Sequence, residues 1–357
     1  MTCGGTGGHI TPAIAIADLL RQNAAPCEIL FVGGESGMEQ TLVTAAGYSI
    51  KTLDIQGLSR KNPLAVFKTA SKTRRAVRAA GEVLDAFLPD IVIGTGGYAC
   101  YPALAAAIAR GIPTAVHESN AVPGLSVRLL APRLSRVWLG FEEARAYLPK
   151  RSACLTVGNP LPRGFAAGGG ARRSGKRIVL SFGGSLGAPA LNEAVLDLMK
   201  ATQSLANVYH VHATGKREWE HFTVELRARG LAGDPRLEIL PFISDMPRRM
   251  QEATVVVCRA GAMSISEIAM AGRAAVLVPS PNVTGDHQLK NARALADRGA
   301  AVLVCEHEIG EGLTPAVLSL LENNAYRTGV EGAVKAFSHP NANKEIFLDV
   351  MGLIGQK

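Results

Sequence analysis

Short apolar runs alternate with amphipathic stretches along the whole chain, and the two halves repeat the same order of elements. In the first half "MTCGGTGGHI" leads into a helical periodicity over 14–20, and in the second half "RIVLSFGGS" leads into "LGAPALNEAVLDLMK". Short β-branched runs separated by helical stretches are typical of parallel sheets with crossover helices. The pattern therefore predicts an α/β protein with two doubly wound domains.

Each half contains further apolar runs that end in polar or glycine-rich loops. The first half has "CEILFVGG", "PDIVIGTGGY" and "PTAVHES", and the second half has "VYHVHATG", "LEILPFI", "TVVVC" and "AAVLVPSP". Ligands of parallel sheets bind at the carboxyl ends of the strands. With two such sheets facing each other, the expected binding site is a central cleft lined by these loops.

The boundary between the halves is a stretch rich in Gly, Pro and basic residues, "GNPLPRGFAAGGGARRSGKR", in which we expect a linker over 161–175. The chain of 357 residues is long enough for two domains. We expect one domain over 1–160, a second over 176–338, and a C-terminal helix over 339–357 that packs back on the first domain.

Composition narrows the class of protein. Apolar residues make up 47% of the chain and charged residues 19%, without a run long enough to span a bilayer, which favours a soluble protein. The first residues do not resemble a secretory leader, so we expect a cytoplasmic protein. The six cysteines are dispersed without a C-x-x-C pair, which favours reduced thiols over disulfides or a zinc site.

The net charge of +8 is concentrated in one stretch. Seven basic and no acidic residues lie in 55–81, close to apolar side chains, which is typical of a segment that rests on an anionic membrane. Nucleic acid is the rival partner, although the stretch is poor in the aromatic rings that stack on single-stranded bases, and a solvated helix face is the simplest alternative. The candidate membrane-associating residues are Leu64, Val66, Phe67, Lys68, Lys72, Arg74 and Arg75.

The first glycine loop, "GGTGGHI", is a candidate site because its glycines let the backbone approach a ligand closely. His9 stands where the helix begins. An imidazole there is suited to take a proton from an attacking hydroxyl, although a lone histidine at this position can also serve packing or capping.

Two more loops follow strands of the same half. "GTGGYACYP" would offer backbone N–H groups to an anionic diphosphate, although a glycine turn after a strand is common. In "HESNAVPG", Glu118 and Asn120 have the polar groups to orient sugar hydroxyls, and an ordinary polar loop is the alternative.

The second half offers a phosphate site at a helix start. In "CRAGAMSISEIAMAG" we expect Ser264, Ser266 and Glu267 in the first turn, where free N–H groups favour a phosphate and Glu267 accepts ribose hydroxyls. Complementarity to the helix dipole is the alternative role for Glu267.

Two further polar motifs occur in the second half. In "GDHQLKNA" the amide of Gln288 suits sugar hydroxyls, while Asp286 is placed to cap a helix. The two histidines of "HVH" would share one face of a strand, but a third metal ligand is not near them in sequence, so a metal site is disfavoured.

Together these motifs carry a resemblance to a known family. "GGTGGHITPAIAIA", "GTGGY", "HESNAVPG", "GNP", "SFGGSLGA", "CRAGAMSISEIAMAG" and "DHQLKNA" occur in the order and approximate spacing of the MurG family, over almost the whole chain. This family belongs to the GT-B glycosyltransferases of family 28. Its members transfer N-acetylglucosamine from a UDP donor to undecaprenyl-pyrophosphoryl-N-acetylmuramoyl-pentapeptide, lipid I, and so make lipid II.

The resemblance implies two Rossmann-like domains, the first for lipid I and the membrane and the second for UDP-N-acetylglucosamine. It implies inverting transfer to the C4 hydroxyl of the muramoyl sugar at the cytoplasmic face of the cell membrane, with His9 as general base, neither a cofactor nor a catalytic metal, and other cell-wall synthesis proteins as partners. The implied substrate-binding residues are Thr6, Gly7, Gly8, Glu118, Asn120, Arg163, Ser185, Ile243, Ala262, Met263, Ser264, Ile265, Ser266, Glu267 and Gln288.

The chain departs from the family pattern at several positions. "GNPLPR" places Pro162 where the family has arginine, with Arg163 one residue later, and Cys100 and Leu186 stand where serine and glutamine are common. The apolar strand that family members carry before the first glycine loop is reduced to "MTC". We expect translation to begin upstream of Met1, and a deliberately shortened chain or a sheet that tolerates the loss are the alternatives.

The same motifs are compatible with other functions. A GT-B transferase with a diacylglycerol acceptor would share the donor domain, and a non-catalytic nucleotide-sugar binding protein would share the loops. A dinucleotide oxidoreductase is disfavoured, because a G-x-G-x-x-G motif followed by an acidic strand end does not stand out.

Overall fold

The protein is described by a computed structural model covering residues 1–4, 7–24, 26–35, 37–55, 63–162, 164–165, 175–184 and 187–355, excluding the side chains of 63–70 and of Thr284. The chain divides into two compact units. The first unit comprises 1–162 together with 341–357, and the second unit comprises 163–340.

Parallel strands alternate with helices in both units. The strands are β1 (Leu30–Gly34), β2 (Ser49–Leu53), β3 (Val92–Gly94), β4 (Thr114–Glu118), β5 (Arg136–Leu139), β6 (Cys154–Thr156), β7 (Arg177–Phe182), β8 (Val208–Ala213), β9 (Leu237–Leu240), β10 (Val255–Cys258), β11 (Ala274–Leu277) and β12 (Val302–Leu303). The helices are α1 (Gly7–Asn23), α2 (Glu39–Ala45), α3 (Pro63–Phe87), α4 (Cys100–Ala109), α5 (Leu125–Leu130), α6 (Pro189–Ala201), α7 (Trp219–Ala228), α8 (Met246–Glu252), α9 (Ala262–Ala271), α10 (His287–Ala296), α11 (Ile309–Glu322), α12 (Asn324–Val334) and α13 (Ala342–Ile354).

The sheet of the first unit is completed by the first residues of the chain. Its strands pair in two groups, β1 with β2 and β3-β4-β5-β6 in that order, and all pairs are parallel. Thr2 forms parallel bridges to Val32 of β1 and to Gly94 of β3. "MTC" therefore takes the central strand position and carries the chain into the first glycine loop.

A cavity of about 490 Å³ lies beneath this short central strand. Its lining includes Met1, the chain around β1 from Pro26 to Leu30, and the chain around β3 from Pro89 to Ile93. The amino group of Met1 donates to the Leu30 carbonyl over 2.8 Å. Burial lowers the pKa of this amine to about 6, because the charged form is poorly solvated there.

The sheet of the second unit has six parallel strands in the order β12-β11-β10-β7-β8-β9. Its central strand β7 is paired on both sides, and Val179 and Leu180 are fully buried. One side of the sheet packs on α6 and α11 through Val195, Leu198 and Leu320. The buried strands and the amphipathic helices confirm the predicted α/β architecture with parallel sheets.

The C-terminal helix α13 packs on the first unit, far from its neighbours in sequence. Ile346 and Val350 join a buried cluster with Ile16 and Trp138. Asp349 accepts hydrogen bonds from the Trp138 indole over 2.7 Å and from Arg136 over 2.8 Å. This polar anchor holds α13 against β5.

All six cysteines are free, as the sequence predicts. Among the helices that the structure describes, none has both the length and the apolar character that crossing a membrane demands.

Candidate functional site

In the first unit, two glycine loops pack directly against each other. Thr2 donates from its backbone to Ile93, and the Thr95 amide donates back to Thr2, so the chain before each loop is held in one sheet. Gly97 has φ +82°, and a Cβ there would collide with the Gly4 carbonyl oxygen. Only glycine allows this approach.

His9 lies in the first turn of α1 and contacts the second loop. Its Nδ1 is 3.0 Å from the Thr95 carbonyl oxygen, and the Thr95 hydroxyl donates to the His9 carbonyl over 2.7 Å. The imidazole is partly exposed, so one side of the ring faces away from these contacts. Gly7 and Gly8 also lie in this first turn, whereas Thr6 falls outside the described residues.

The loop after β4 is organised by Glu118. This carboxylate is almost fully buried, and it accepts hydrogen bonds from the Asn120 amide N–H over 3.0 Å, the Asn120 side chain over 3.1 Å and the Gly124 amide over 2.9 Å. Both oxygens are therefore engaged with the loop itself. Asn120 lies at the partly exposed edge of the loop, and its hydrogen bonds to the buried Glu118 carboxylate hold it there.

His117 has a structural role in the same strand. It is fully buried, it donates from Nε2 to the Gly158 carbonyl over 2.9 Å, and it accepts from the Ser119 hydroxyl over 3.2 Å. Burial lowers the pKa of this imidazole to about 4, so it is neutral at physiological pH.

In the second unit, α9 presents a helix N-terminus after β10. The helix begins at Ala262, and the Ile265 amide bonds to the Gly261 carbonyl, which leaves the first three amides of the helix without an intrahelical acceptor. Ala262 and Ile265 have buried side chains, so a ligand here would meet their backbone. Met263 and Ser264 are partly exposed beside these amides.

One part of the expectation for α9 is wrong. Because the helix begins at Ala262, Ser266 and Glu267 lie in its second turn, and its first turn has no acidic residue. Glu267 follows Ser264 by three residues and shares its helix face. Burial raises the pKa of the Glu267 carboxyl to about 7, which is the kind of shift found at functional sites.

Gln288 and Ile243 complete the candidate residues of this unit. The Gln288 side-chain oxygen accepts from the Ser280 amide over 2.9 Å, which leaves its NH₂ group as the donor for a ligand. The Ile243 side chain is buried, so a ligand beside it would meet only its backbone. Asp286 is at the N-cap of α10 with φ +53°, but its side chain makes no cap hydrogen bond.

Several candidates cannot be placed. Ser185 and Arg163 fall outside the described residues, as do the side chains of Leu64, Val66, Phe67 and Lys68. In the described part of α3, Arg74 and Arg75 are exposed, and Lys72 lies 4.0 Å from Asp54.

The histidines of "HVH" are structural. His212 pairs with the Ser181 hydroxyl over 2.8 Å and His210 with the Thr202 hydroxyl over 2.9 Å, and burial lowers the pKa of both imidazoles, to about 3 and about 4. Within the described ranges, no three potential ligands come together as a metal site.

Sequence reasoning missed Thr95, which holds His9 from a position 86 residues away. The glycine loop that follows Thr95 was visible in the sequence, but its contact with α1 depends on the pairing of β3 with the first residues of the chain. A sequence pattern does not report such a pairing.

Comparison with known proteins places these features in a family. Residues 1–139 match the glycosyltransferase family 28 N-terminal domain, and residues 178–346 match the glycosyltransferase family 28 C-terminal domain. Two curated relatives, from Leuconostoc citreum and Lactococcus lactis subsp. cremoris, are each 36% identical. The first alignment covers 99% of this chain and 98% of the relative, and the second covers 97% of each.

Both relatives are named UDP-N-acetylglucosamine--N-acetylmuramyl-(pentapeptide) pyrophosphoryl-undecaprenol N-acetylglucosamine transferase. The crystal structure of Acinetobacter baumannii MurG matches with a TM-score of 0.78 and 31% identity, covering 100% of this chain and 98% of that chain. The calicheamicin glycosyltransferase CalG4, at 15% identity and a TM-score of 0.69, shares the fold.

Proposed function

The chain belongs to glycosyltransferase family 28, and we propose that it transfers N-acetylglucosamine from UDP-N-acetylglucosamine to lipid I, which yields lipid II for peptidoglycan synthesis. The observation that carries the proposal is the extent of the similarity. Relatives named for this transfer match 99% and 97% of the chain, through both units, so the acceptor-binding half is included as well as the donor-binding half.

The first unit supplies a proton acceptor. In the proposed reaction the C4 hydroxyl of the muramoyl sugar attacks the anomeric carbon, the bond from this carbon to UDP breaks, and the configuration inverts. The hydroxyl proton passes to Nε2 of His9, because Nδ1 already donates to the Thr95 carbonyl. Asn120, held by Glu118, contacts the transferred sugar.

The second unit supplies the donor site. The free amides at the start of α9 and the glycine loop after β7 bind the diphosphate and stabilise the charge that develops on the UDP leaving group. Glu267 accepts the ribose hydroxyls, and the Gln288 NH₂ group donates to the sugar.

The first test is transfer of radiolabelled N-acetylglucosamine from its UDP donor to a soluble lipid I analogue. Labelled disaccharide product is the expected result. Transfer to diacylglycerol instead would favour a different acceptor class, and tight donor binding without any transfer would favour a binding protein.

We also propose that the protein associates peripherally with the cytoplasmic face of the membrane through the basic stretch at 55–81. Arg74 and Arg75 support this, because both are exposed on α3 and carry the charge that anionic lipids attract. Replacing both with alanine should reduce sedimentation with phosphatidylglycerol vesicles. The matched control replaces Arg217 and Arg227, which are exposed in the second unit, and equal losses in the two variants would contradict the proposal.

A further inference from the structure

The second glycine loop of the first unit makes three contacts that bear on His9. The Thr95 carbonyl oxygen lies 3.0 Å from His9 Nδ1. The Thr95 hydroxyl donates to the His9 carbonyl over 2.7 Å, and the Thr95 amide donates to Thr2 over 3.1 Å. Thr95 is fully buried, so a single residue joins the imidazole, the start of α1 and the central strand.

The first of these contacts determines where the imidazole carries its proton. A carbonyl oxygen only accepts hydrogen bonds, so Nδ1 must be the donor. In the neutral ring the lone pair is then on Nε2, the nitrogen directed away from Thr95. As Nε2 takes up a proton, the same carbonyl stabilises the imidazolium that forms, since a hydrogen bond from a charged donor is stronger than one from a neutral donor.

Gly96 and Gly97 bring the loop close enough for these contacts. Gly96 has φ +93°, and a Cβ at this position would lie 2.8 Å from His9 Nδ1. The imidazole therefore rests directly on the glycine backbone. A larger residue would push the ring away from the Thr95 carbonyl.

We propose that the segment Thr95–Gly97 is a positioning element for His9, which fixes both the orientation of the imidazole and its Nδ1–H tautomer. This role differs from the diphosphate contact expected from the glycine pattern alone. Its importance for turnover rests on the proposed function, whereas the tautomer is a property of the protein without substrate.

The test compares Thr95→Val with Thr95→Ser. Valine has the shape of threonine but cannot donate to the His9 carbonyl, and serine can. With the lipid I analogue, Thr95→Val should lower kcat about tenfold and leave the KM for UDP-N-acetylglucosamine unchanged, because the loss of one buried hydrogen bond loosens only the base. Thr95→Ser should keep a kcat near that of the wild type.

A spectroscopic measurement reports on the tautomer independently of activity. The ¹⁵N shifts of His9, assigned by comparison with His9→Gln, should show a protonated Nδ1 in the neutral ring of the wild type and of Thr95→Val, because the main-chain carbonyl of residue 95 is present in both. Gly96→Ala should give a mixture of tautomers, because its Cβ would displace the ring from that carbonyl. Circular dichroism and UDP-N-acetylglucosamine binding to each variant establish that the fold is retained.

The possible outcomes separate this inference from the proposed function. A wild-type ring protonated on Nε2 would overturn the positioning role, and so would an unchanged kcat in Thr95→Val. If the wild type transfers nothing to lipid I, the proposed function fails, and the tautomer measurements still decide whether Thr95–Gly97 positions His9.

Discussion

The two units use the same strand, glycine loop and helix, but the strand differs greatly in length. In the second unit, β7 runs over six residues and is paired on both sides before Gly183 and Gly184. In the first unit only Met1–Cys3 precede the loop, and Thr2 alone bridges to both neighbours. Aligned on the glycines, Thr2 corresponds to Ser181, and the space of Arg177–Val179 corresponds to the cavity beneath Met1.

The difference shows how long a strand must be to position the glycine loop that follows it. The short strand still positions its loop, because Thr95 contacts His9 directly and the Thr95 amide donates to the Thr2 carbonyl. The cavity of about 490 Å³ lies beneath Met1, between the segments that lead into β1 and β3. We therefore expect a division in which the loops determine catalysis and the strand determines stability.

The largest effect that this division predicts is on turnover. His9→Ala should lower kcat by about 10²–10⁴-fold, the usual contribution of a general base, because we propose His9 of the first unit as the proton acceptor. The KM for UDP-N-acetylglucosamine should stay unchanged, since the proposed role of His9 is toward the acceptor hydroxyl. Steady-state kinetics with the lipid I analogue measures both.

The matched control for this prediction is His221→Ala, which removes an exposed histidine of α7. It should behave as the wild type. A parallel loss of donor affinity in His9→Ala would contradict the division between the units, and full activity would remove His9 from the reaction.

The second prediction concerns stability at acid pH. The two units should differ in it, because their buried titratable groups differ. In the first unit of the 357-residue chain that begins at Met1, the His117 imidazole has a pKa of about 4 and the Met1 amine about 6, both below their unfolded values of 6.5 and 8.0. Their stabilisation is present above the unfolded pKa and is lost as the pH falls towards the folded one. The contribution of each group to the free energy of unfolding falls by about 2 kcal/mol between pH 7.5 and pH 5.

The second unit contains titratable groups whose effects on stability at acid pH have opposite signs. His210 and His212 have lowered pKa values and lose stability in acid as His117 does. Glu267 has a pKa raised to about 7 from 4.5, so its destabilising effect is greatest above pH 7 and is relieved as the pH falls. Between pH 7.5 and pH 5 the free energy of unfolding should therefore fall by about 4 kcal/mol in the first unit and by about 2 kcal/mol in the second.

Hydrogen exchange on peptides from each unit, corrected for intrinsic rates, measures both losses. Acetylation of the Met1 amine should halve the loss in the first unit, and Glu267→Gln should increase the loss in the second. Equal acid sensitivity of the two units would contradict the assignment of these groups.

The third prediction fills the cavity. Three apolar residues joined to the amino group of Met1 should extend the central strand and stabilise the first unit by about 2 kcal/mol. The strand alternation set by Thr2 directs the N–H groups of Leu30 and Ile93 into the cavity, where the added carbonyls would accept from them. Buried Trp138 reports on this unit by fluorescence in a Trp219→Phe background during urea unfolding.

The control extension is Ser-Gly-Ser, which offers the same backbone without apolar side chains and should stabilise less. An apolar extension that leaves the urea midpoint unchanged would show that the cavity is not strand space. Donor binding should be the same in all three forms, because the change is confined to the first unit.

The same comparison shows how far sequence reasoning reaches. The parallel strands, both glycine loops and the helix of "SISEIAMAG" are predictable, because hydrophobic periodicity and glycine reflect local backbone requirements. The contact of Thr95 with His9 and the inward direction of the Glu118 carboxylate depend on which strands become neighbours. Glu267 was misplaced by one helical turn, because the pattern does not show whether the helix begins at Ala262 or later.

The smallest predicted effect is on donor affinity, and it tests Glu267 of the second unit. A carboxylate accepts ribose hydroxyls more strongly than a carboxylic acid does, so UDP-N-acetylglucosamine should bind more tightly as the pH rises through about 7 and then level off. Glu267→Gln should weaken binding about tenfold at pH 8 and remove most of this pH dependence. Calorimetric titration at pH 6, 7 and 8 measures both, with exposed Glu220→Gln as the control.

Because the bound ribose favours the ionised form, the donor should also lower the pKa of Glu267, and proton release on binding at pH 7 should accompany the tighter affinity. A donor affinity independent of pH in the wild type would place the ribose away from Glu267 and leave the start of α9 to the diphosphate alone.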